Sequence, residues 1–203
     1  MAEPCPDKPV VIVLHGPSGV GKDAVIDRLR QRTGIHRATS STSRPPRKDE
    51  VDGISYHFLS GPEFEAKIAN DEFAEFARVY NQWKGVERRE IEPYLESGTD
   101  VIIRTDVQGA RRWRERLEGV VSVFLMAESR EVLRERLISR DTEDDESLAR
   151  RLEELEAELE DMPNNDYVIV NRHGHVELAV EELASIIERE RCNESRKAPR
   201  LRP

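Results

Sequence analysis

Short runs of aliphatic and β-branched residues alternate along the chain with longer stretches whose apolar positions recur at helical spacing. The runs are Val10–His15, Val101–Arg104, Val120–Met126 and Tyr167–Asn171. Each is nearly all apolar, as a strand buried on both faces of a parallel sheet has to be. Helical patterns follow at Lys22–Arg32, Val107–Glu118, Arg130–Ile138 and Val176–Arg191. This rhythm predicts an α/β fold: an open parallel sheet with helices on both faces.

Residues 39–91 interrupt the rhythm. They are polar, carry the turn signals Pro45-Pro46 and Asp52-Gly53, and hold short strand-like pieces such as Tyr56–Leu59. They read as an inserted lobe. A second irregular stretch, Ser139–Leu148, is rich in acids and carries a single arginine, Arg140. After it Leu148, Leu152, Leu155 and Leu159 form one stripe of an amphipathic helix, with most acids of Glu153–Asp161 on the solvated side. The core is expected over 9–38, 92–130 and 149–191, and the polar segments 1–8 and 192–203 are expected to be loose tails.

Composition narrows the classes. The chain has 203 residues, 36% of them charged and 5% aromatic, enough for one sizeable core and a small inserted lobe. Its longest aliphatic run, Val10–Leu14, is far short of a bilayer span, and no signal peptide is visible before it. Cys5 and Cys192 fall near the two ends, so a disulfide framework is not expected, and a reducing, cytoplasmic setting is. A formal net charge of -9 argues against broad nucleic-acid binding. A site for an anionic substrate then has to be built from local basic residues against the overall sign.

Directly after Val10–His15 comes Gly16-Pro17-Ser18-Gly19-Val20-Gly21-Lys22-Asp23, which opens a helix. The pattern G-x-x-x-x-G-K is met in full. Its glycines let successive N–H groups converge on phosphate oxygens, the helix N-terminus adds partial positive charge, and Lys22 can reach the β- and γ-phosphates. The fold class is therefore the P-loop NTPase type, with ATP as the expected ligand. The final position, normally Ser or Thr and a Mg²⁺ ligand, is Asp23. A carboxylate is a good hard-oxygen ligand for Mg²⁺, so Asp23 is the candidate metal residue.

A second anion site is suggested by Arg44 and Arg47, three apart on a short turn, with Tyr56 in reach. Two guanidinium forks and a phenol can grip a phosphate dianion. At Ser40-Ser41-Thr42-Ser43-Arg44-Pro45-Pro46-Arg47, followed by Glu50, Gly53 and Tyr56, the chain resembles the guanylate kinase family. Further matches are Glu75, Asp106-Val107-Gln108-Gly109, Arg136 and Arg140, Arg151, and Val170-Asn171, in the family's order over residues 10–191.

The resemblance implies direct transfer of the γ-phosphoryl group of ATP to GMP, with Mg²⁺ accompanying ATP, in a monomer or homodimer. It implies that Glu75 accepts the N1–H and N2 amine of guanine, with Asp106 and Ser40 completing the base and ribose contacts. Lys22, Arg44, Arg136, Arg140 and Arg151 would line the transferring group, Arg136 and Arg140 bordering a lid over 131–148. Arg140 and Asn171 would flank the adenine. Two further readings stay open: a related P-loop kinase with another small phosphorylated acceptor, such as ribose 1,5-bisphosphate, and a non-catalytic binding module.

Four positions depart from the family pattern. Asp23 replaces the hydroxyl after the lysine, Arg104 stands where the first Asp of D-x-D is expected, and Lys84 and Val86 replace the Tyr and the hydroxyl of Y-G-T. Lys84 can still bind phosphate, as a point charge. The first two departures exchange charge between neighbouring segments, so an Asp23–Arg104 ion pair is expected.

Overall fold

The computed structural model describes residues 8–79, 81–140 and 155–202, with the backbone alone for Val79 and for 136–140. Five strands form the central sheet: β1 (Val11–His15), β2 (His36–Ala38), β7 (Val101–Arg104), β9 (Val120–Met126) and β10 (Tyr167–Val170). Their order is β10-β9-β1-β7-β2 and every pairing is parallel. The central strand β1 is buried along its whole length. Val10, Ile12 and Leu14 pack with Val25, Ile26 and Leu29 of α1 (Lys22–Thr33) and with Val180, Leu183 and Ile187 of the C-terminal helix Val176–Arg191. Val11 and Val13 belong to the opposite cluster, with Ala110 and Trp113 of the helix Val107–Arg116. The period-two alternation thus feeds two helix layers, and each side chain so buried contributes about 1.5–3 kcal/mol.

The lobe carries its own sheet, β3 (Ser40–Thr42), β4 (His57–Phe58), β5 (Phe73–Val79) and β6 (Gln82–Glu87), in the order β4-β3-β6-β5. The helix α2 (Gly61–Ala69) begins at a capping box, in which Ser60 and Glu63 satisfy each other's backbone N–H groups. It packs the fully buried Phe64 on Phe73, with ring centroids 4.2 Å apart. A short helix, α3 (Glu92–Glu96), leads back to β7, which feeds α4 (Val107–Arg116). Next come β8 (Leu117–Glu118), α5 (Arg130–Arg140) and α6 (Val176–Arg191). Residues 155–160 are helical and bury Leu155 and Leu159, two members of the leucine stripe. Leu148 and Leu152 lie outside the described residues, as do residues 141–148 of the expected lid, whose residues 131–140 belong to α5. No helix among the described residues is long and apolar enough to cross a membrane.

Three expectations are corrected. Helix α4 stops at Arg116, because Leu117 turns extended and pairs, with Glu118, antiparallel to β11 (Arg200–Leu201). The C-terminal segment is accordingly not loose. Arg196 is only 8% exposed and donates to the carbonyls of Lys8, Pro9 and Glu190 at 3.2, 3.1 and 2.8 Å. A polar composition hid this, because one guanidinium can satisfy several backbone acceptors. Finally, Cys192 at the end of α6 is disulfide-bonded rather than free. The sequence holds one other cysteine, Cys5, outside the described residues.

Candidate active site

Strand β1 runs directly into the loop from Gly16 to Gly21, and α1 starts at Lys22. Gly21 has φ +94, and a Cβ there would stand 2.6 Å from Asn171 Nδ2, so both conformation and space require glycine. Asn171 is the reason for the squeeze. It is 8% exposed and its side-chain amide donates to the Val20 carbonyl at 2.8 Å. Its own N–H donates to Met126 at 2.7 Å. The structure thus places Asn171 as a brace against the loop backbone, while its Oδ1 is buried without a hydrogen bond among the described residues. Pro17, Ser18, Gly19 and Val20 complete the loop, with Val20 fully buried.

The Lys22 ammonium donates to the carbonyls of Gly16 and Pro17, at 2.6 and 3.0 Å. Burial pulls its pKa down to about 8, with Arg104 adding to the depression while Glu158, Asp23 and Asp106 oppose it. The loop's own carbonyls are the acceptors for this charge.

Asp23 and Arg104 form the expected ion pair, Oδ2 to Nη1 at 2.7 Å. Arg37, which the sequence reading passed over, holds Oδ1 at the same 2.7 Å. Arg104 also donates to the Tyr56 hydroxyl at 2.8 Å. Both oxygens of Asp23 are therefore committed to guanidinium groups, and a cation stands beside them. A Mg²⁺ ion ligated by Asp23 would have to share or displace the contacts with Arg37 and Arg104. Among the described residues no group of three or more His, Cys, Asp or Glu could hold a metal ion.

A cavity of about 250 Å³ joins the phosphate loop to Ser40, Tyr56 and Glu75 of the lobe. Gly16, Ser18 and Lys22 line it from the loop. Ser40, Tyr56, Glu75, Lys84 and Val86 line it from the lobe. Arg104, Thr105, Asp106 and Arg112 line it from β7 and α4. Asp106 caps α4 by accepting from the Gly109 N–H at 2.7 Å. Glu75 is 6% exposed and sits directly across the β5–β6 ladder from Val86. Burial pushes its carboxyl above the usual range, against a salt bridge to Arg112 that favours ionisation.

Arg44 and Arg47 do not line this cavity. The two terminal nitrogens of Arg44 both hold Glu50, each at 2.6 Å, and its guanidinium lies 5.0 Å over the Tyr56 ring. The Arg44 guanidinium in turn holds the Glu50 carboxyl down to about 2. Arg47 is exposed and meets Glu50 through its backbone N–H. An acceptor phosphate reaching this pair has to share Arg44 with Glu50. The side chains of Arg136 and Arg140, and Arg151 altogether, lie outside the described residues.

Arg37 and Arg112 are the site residues that motif reading missed.

Comparison with known proteins agrees with this geometry. The family model described as guanylate kinase matches residues 8–190. A rice protein, guanylate kinase 2, chloroplastic/mitochondrial (Oryza sativa subsp. japonica), is 44% identical over 92% of this chain and 66% of its own length. The guanylate kinase of Halalkalibacterium halodurans is 40% identical over 94% of this chain and 93% of its own length. The crystal structure of guanylate kinase from Anaplasma phagocytophilum superposes with a TM-score of 0.76 at 30% identity, covering 94% of this chain and 90% of that one. A nearly full-length family match and relatives well above 30% identity have one meaning: this chain belongs to the guanylate kinase family.

Proposed function

We propose that the chain transfers the γ-phosphoryl group of ATP directly to GMP, giving ADP and GDP. The observation that carries the reading is the single cavity in which Lys22 and Glu75 both take part. Lys22 sits at the head of a backbone cradle suited to the phosphates of ATP. Glu75 is a buried carboxylate that matches two adjacent donors on guanine, N1–H and the N2 amine. Adenine would turn a lone pair at N1 toward the same carboxylate and leave it unpaired, at a cost of about 1–3 kcal/mol.

Direct transfer needs little covalent work from the protein and depends on positioning and charge. Lys22 leaves the loop carbonyls for the β- and γ-phosphates. Arg104, in the same cavity, stands beside Tyr56 where the two substrates meet. Asp23 neutralises part of that charge and holds the guanidinium in place, so Arg104 is oriented rather than free to rotate. Arg44 joins the acceptor phosphate by sharing or releasing Glu50. The segment 131–148 is read as the lid that excludes competing water, with Arg136, Arg140 and Arg151 brought to the phosphates as it closes.

An assay of ADP formation with GMP, AMP, UMP and ribose 1,5-bisphosphate tests the reading. Turnover with GMP well above the other three is the expected result. Turnover with the sugar phosphate alone would replace the proposed acceptor. Silence with all four, with GMP still bound, would leave a binding module.

A further inference from the structure

The family's Y-G-T signature supplies a hydroxyl beside the base site, and this chain has Val86 there, 3% exposed and without a hydrogen-bonding side chain. The cross-strand partner of Val86 is Glu75. Glu75 is also held by Arg112, whose Nε donates to Glu75 Oε1. Three facts about this pair bear on the base. Both residues line the cavity. Glu75 Oε2 and the two terminal nitrogens of Arg112 carry no hydrogen bond among the described residues. The Arg112 side chain is 31% exposed, so it is not sealed into the core.

Guanine presents an acceptor, O6, followed by two donors, N1–H and the N2 amine. A guanidinium next to a carboxylate presents the complementary row: donors, then acceptors. We propose that Arg112 is a specificity-determining residue that reads guanine O6 while Glu75 reads N1–H and N2, replacing the hydroxyl that Val86 removes. The inference rests on the GMP reading of the same cavity and names a residue that this reading does not require. Adenine would be doubly mismatched, its N6 amine facing the guanidinium and its N1 lone pair facing the carboxylate.

Arg112 has a second effect through its partner. Glu75 is buried, and burial favours the protonated acid, which cannot accept from N1–H. The salt bridge to Arg112 opposes this, as does the charge of Arg116, while Asp106 adds to the upward shift. Removing the guanidinium therefore moves the acid limb of GMP use toward higher pH.

The test compares wild type with Arg112→Met and Arg112→Lys, assayed with GMP and with 6-thioguanosine monophosphate, which keeps both donors but offers a poor acceptor at position 6. For Arg112→Met the proposal expects kcat/KM for GMP to fall about ten- to a hundredfold, as loss of a charged hydrogen bond implies. The change should lie mainly in KM, and the wild-type preference for GMP over its thio analogue should shrink toward one. Arg112→Lys should restore part of the preference. Thermal melts confirm that each variant is folded, and Arg112→Lys keeps the test informative should the methionine variant unfold. A wild-type enzyme that uses GMP while Arg112→Met keeps the same GMP-to-thio ratio and the same acid limb overturns the inference alone. A wild type with no GMP turnover overturns the reading beneath it.

Discussion

Along β1 every position is buried, and all but His15 are aliphatic. The strand is fixed by two layers of apolar side chains, one from α1 and α6 and one from α4. The acceptor lobe is held differently. Glu87, 1% exposed, accepts from Ser41, Lys67 and Arg89 at 2.7, 2.8 and 3.0 Å. Glu90 accepts from His57 and from the Thr39 N–H, each at 2.9 Å, and has His36 at 3.4 Å. Apolar packing is insensitive to salt and proton concentration over the ordinary range, while ion pairs respond to both. The donor half is thus fixed by packing, while the acceptor half adds ion pairs to its aromatic cluster of Phe64, Phe73 and Trp83, and a charged substrate can compete for some of them. Arg44 with Glu50 is the clearest case, since phosphate competes for the same guanidinium.

The comparison can be broken at either half, beginning with the largest effects. Trp113 of α4 is fully buried in the cluster it shares with Val11 and Val13 of β1, and Trp113→Ala should destabilise the whole molecule by about 3–5 kcal/mol in chemical unfolding. A loss confined to one sheet would deny that the central sheet organises the fold. Lys22→Met should lower kcat by about 10²–10³-fold, as loss of one charge-stabilising donor does, with GMP affinity by titration calorimetry unchanged. Glu87→Gln should cost about 1–3 kcal/mol and weaken GMP binding before it weakens ATP binding, because it loosens β3 against β6.

Acid should act on the lobe first. Burial works against ionisation of Glu90, yet His36, Thr39 and His57 together hold it down to about 2. A depressed carboxylate gives stability that is full above the unfolded pKa and disappears as pH falls through the folded one. Wild type should therefore lose stability between about pH 4.5 and 2 that Glu90→Gln never had, as urea midpoints at successive pH values would show.

The smallest effect is at Lys22, whose pKa of about 8 should rise when phosphate replaces the loop carbonyls. ATP binding at pH 8.5 should then take up part of a proton, read as a dependence of the calorimetric heat on buffer ionisation enthalpy. No such dependence would mean that Lys22 stays folded back.

What the sequence disclosed follows the same division. Strands β1, β7 and β9 were legible because burial on both faces demands unbroken apolar runs, and the loop ending at Lys22 because its chemistry is contiguous. Strand β2 was not, being three residues long with two polar ones, His36 and Arg37, at the sheet edge. The anchoring of Arg196 was also hidden, since its partners are backbone carbonyls, which leave no trace in composition. In the site, Asp23 and Arg104 announced each other by departing together from the family pattern. Arg112 did not, because its partner Glu75 lies 37 residues earlier and no local motif joins them. The family's tyrosine, arginines and glycines located the acceptor lobe, but the structure shows Arg44 committed to Glu50 and Arg104 facing the cavity instead.

The central claim is that one cavity serves both substrates, with the phosphate cradle at Lys22 and the base-reading carboxylate at Glu75. It is tested most directly with a guanosine–adenosine compound joined through a polyphosphate bridge, used as an inhibitor of GDP formation. The account predicts competition against ATP and against GMP alike, with Lys22→Met and Glu75→Gln each weakening the inhibitor. Competition against only one substrate, or inhibition indifferent to Glu75→Gln, would contradict it.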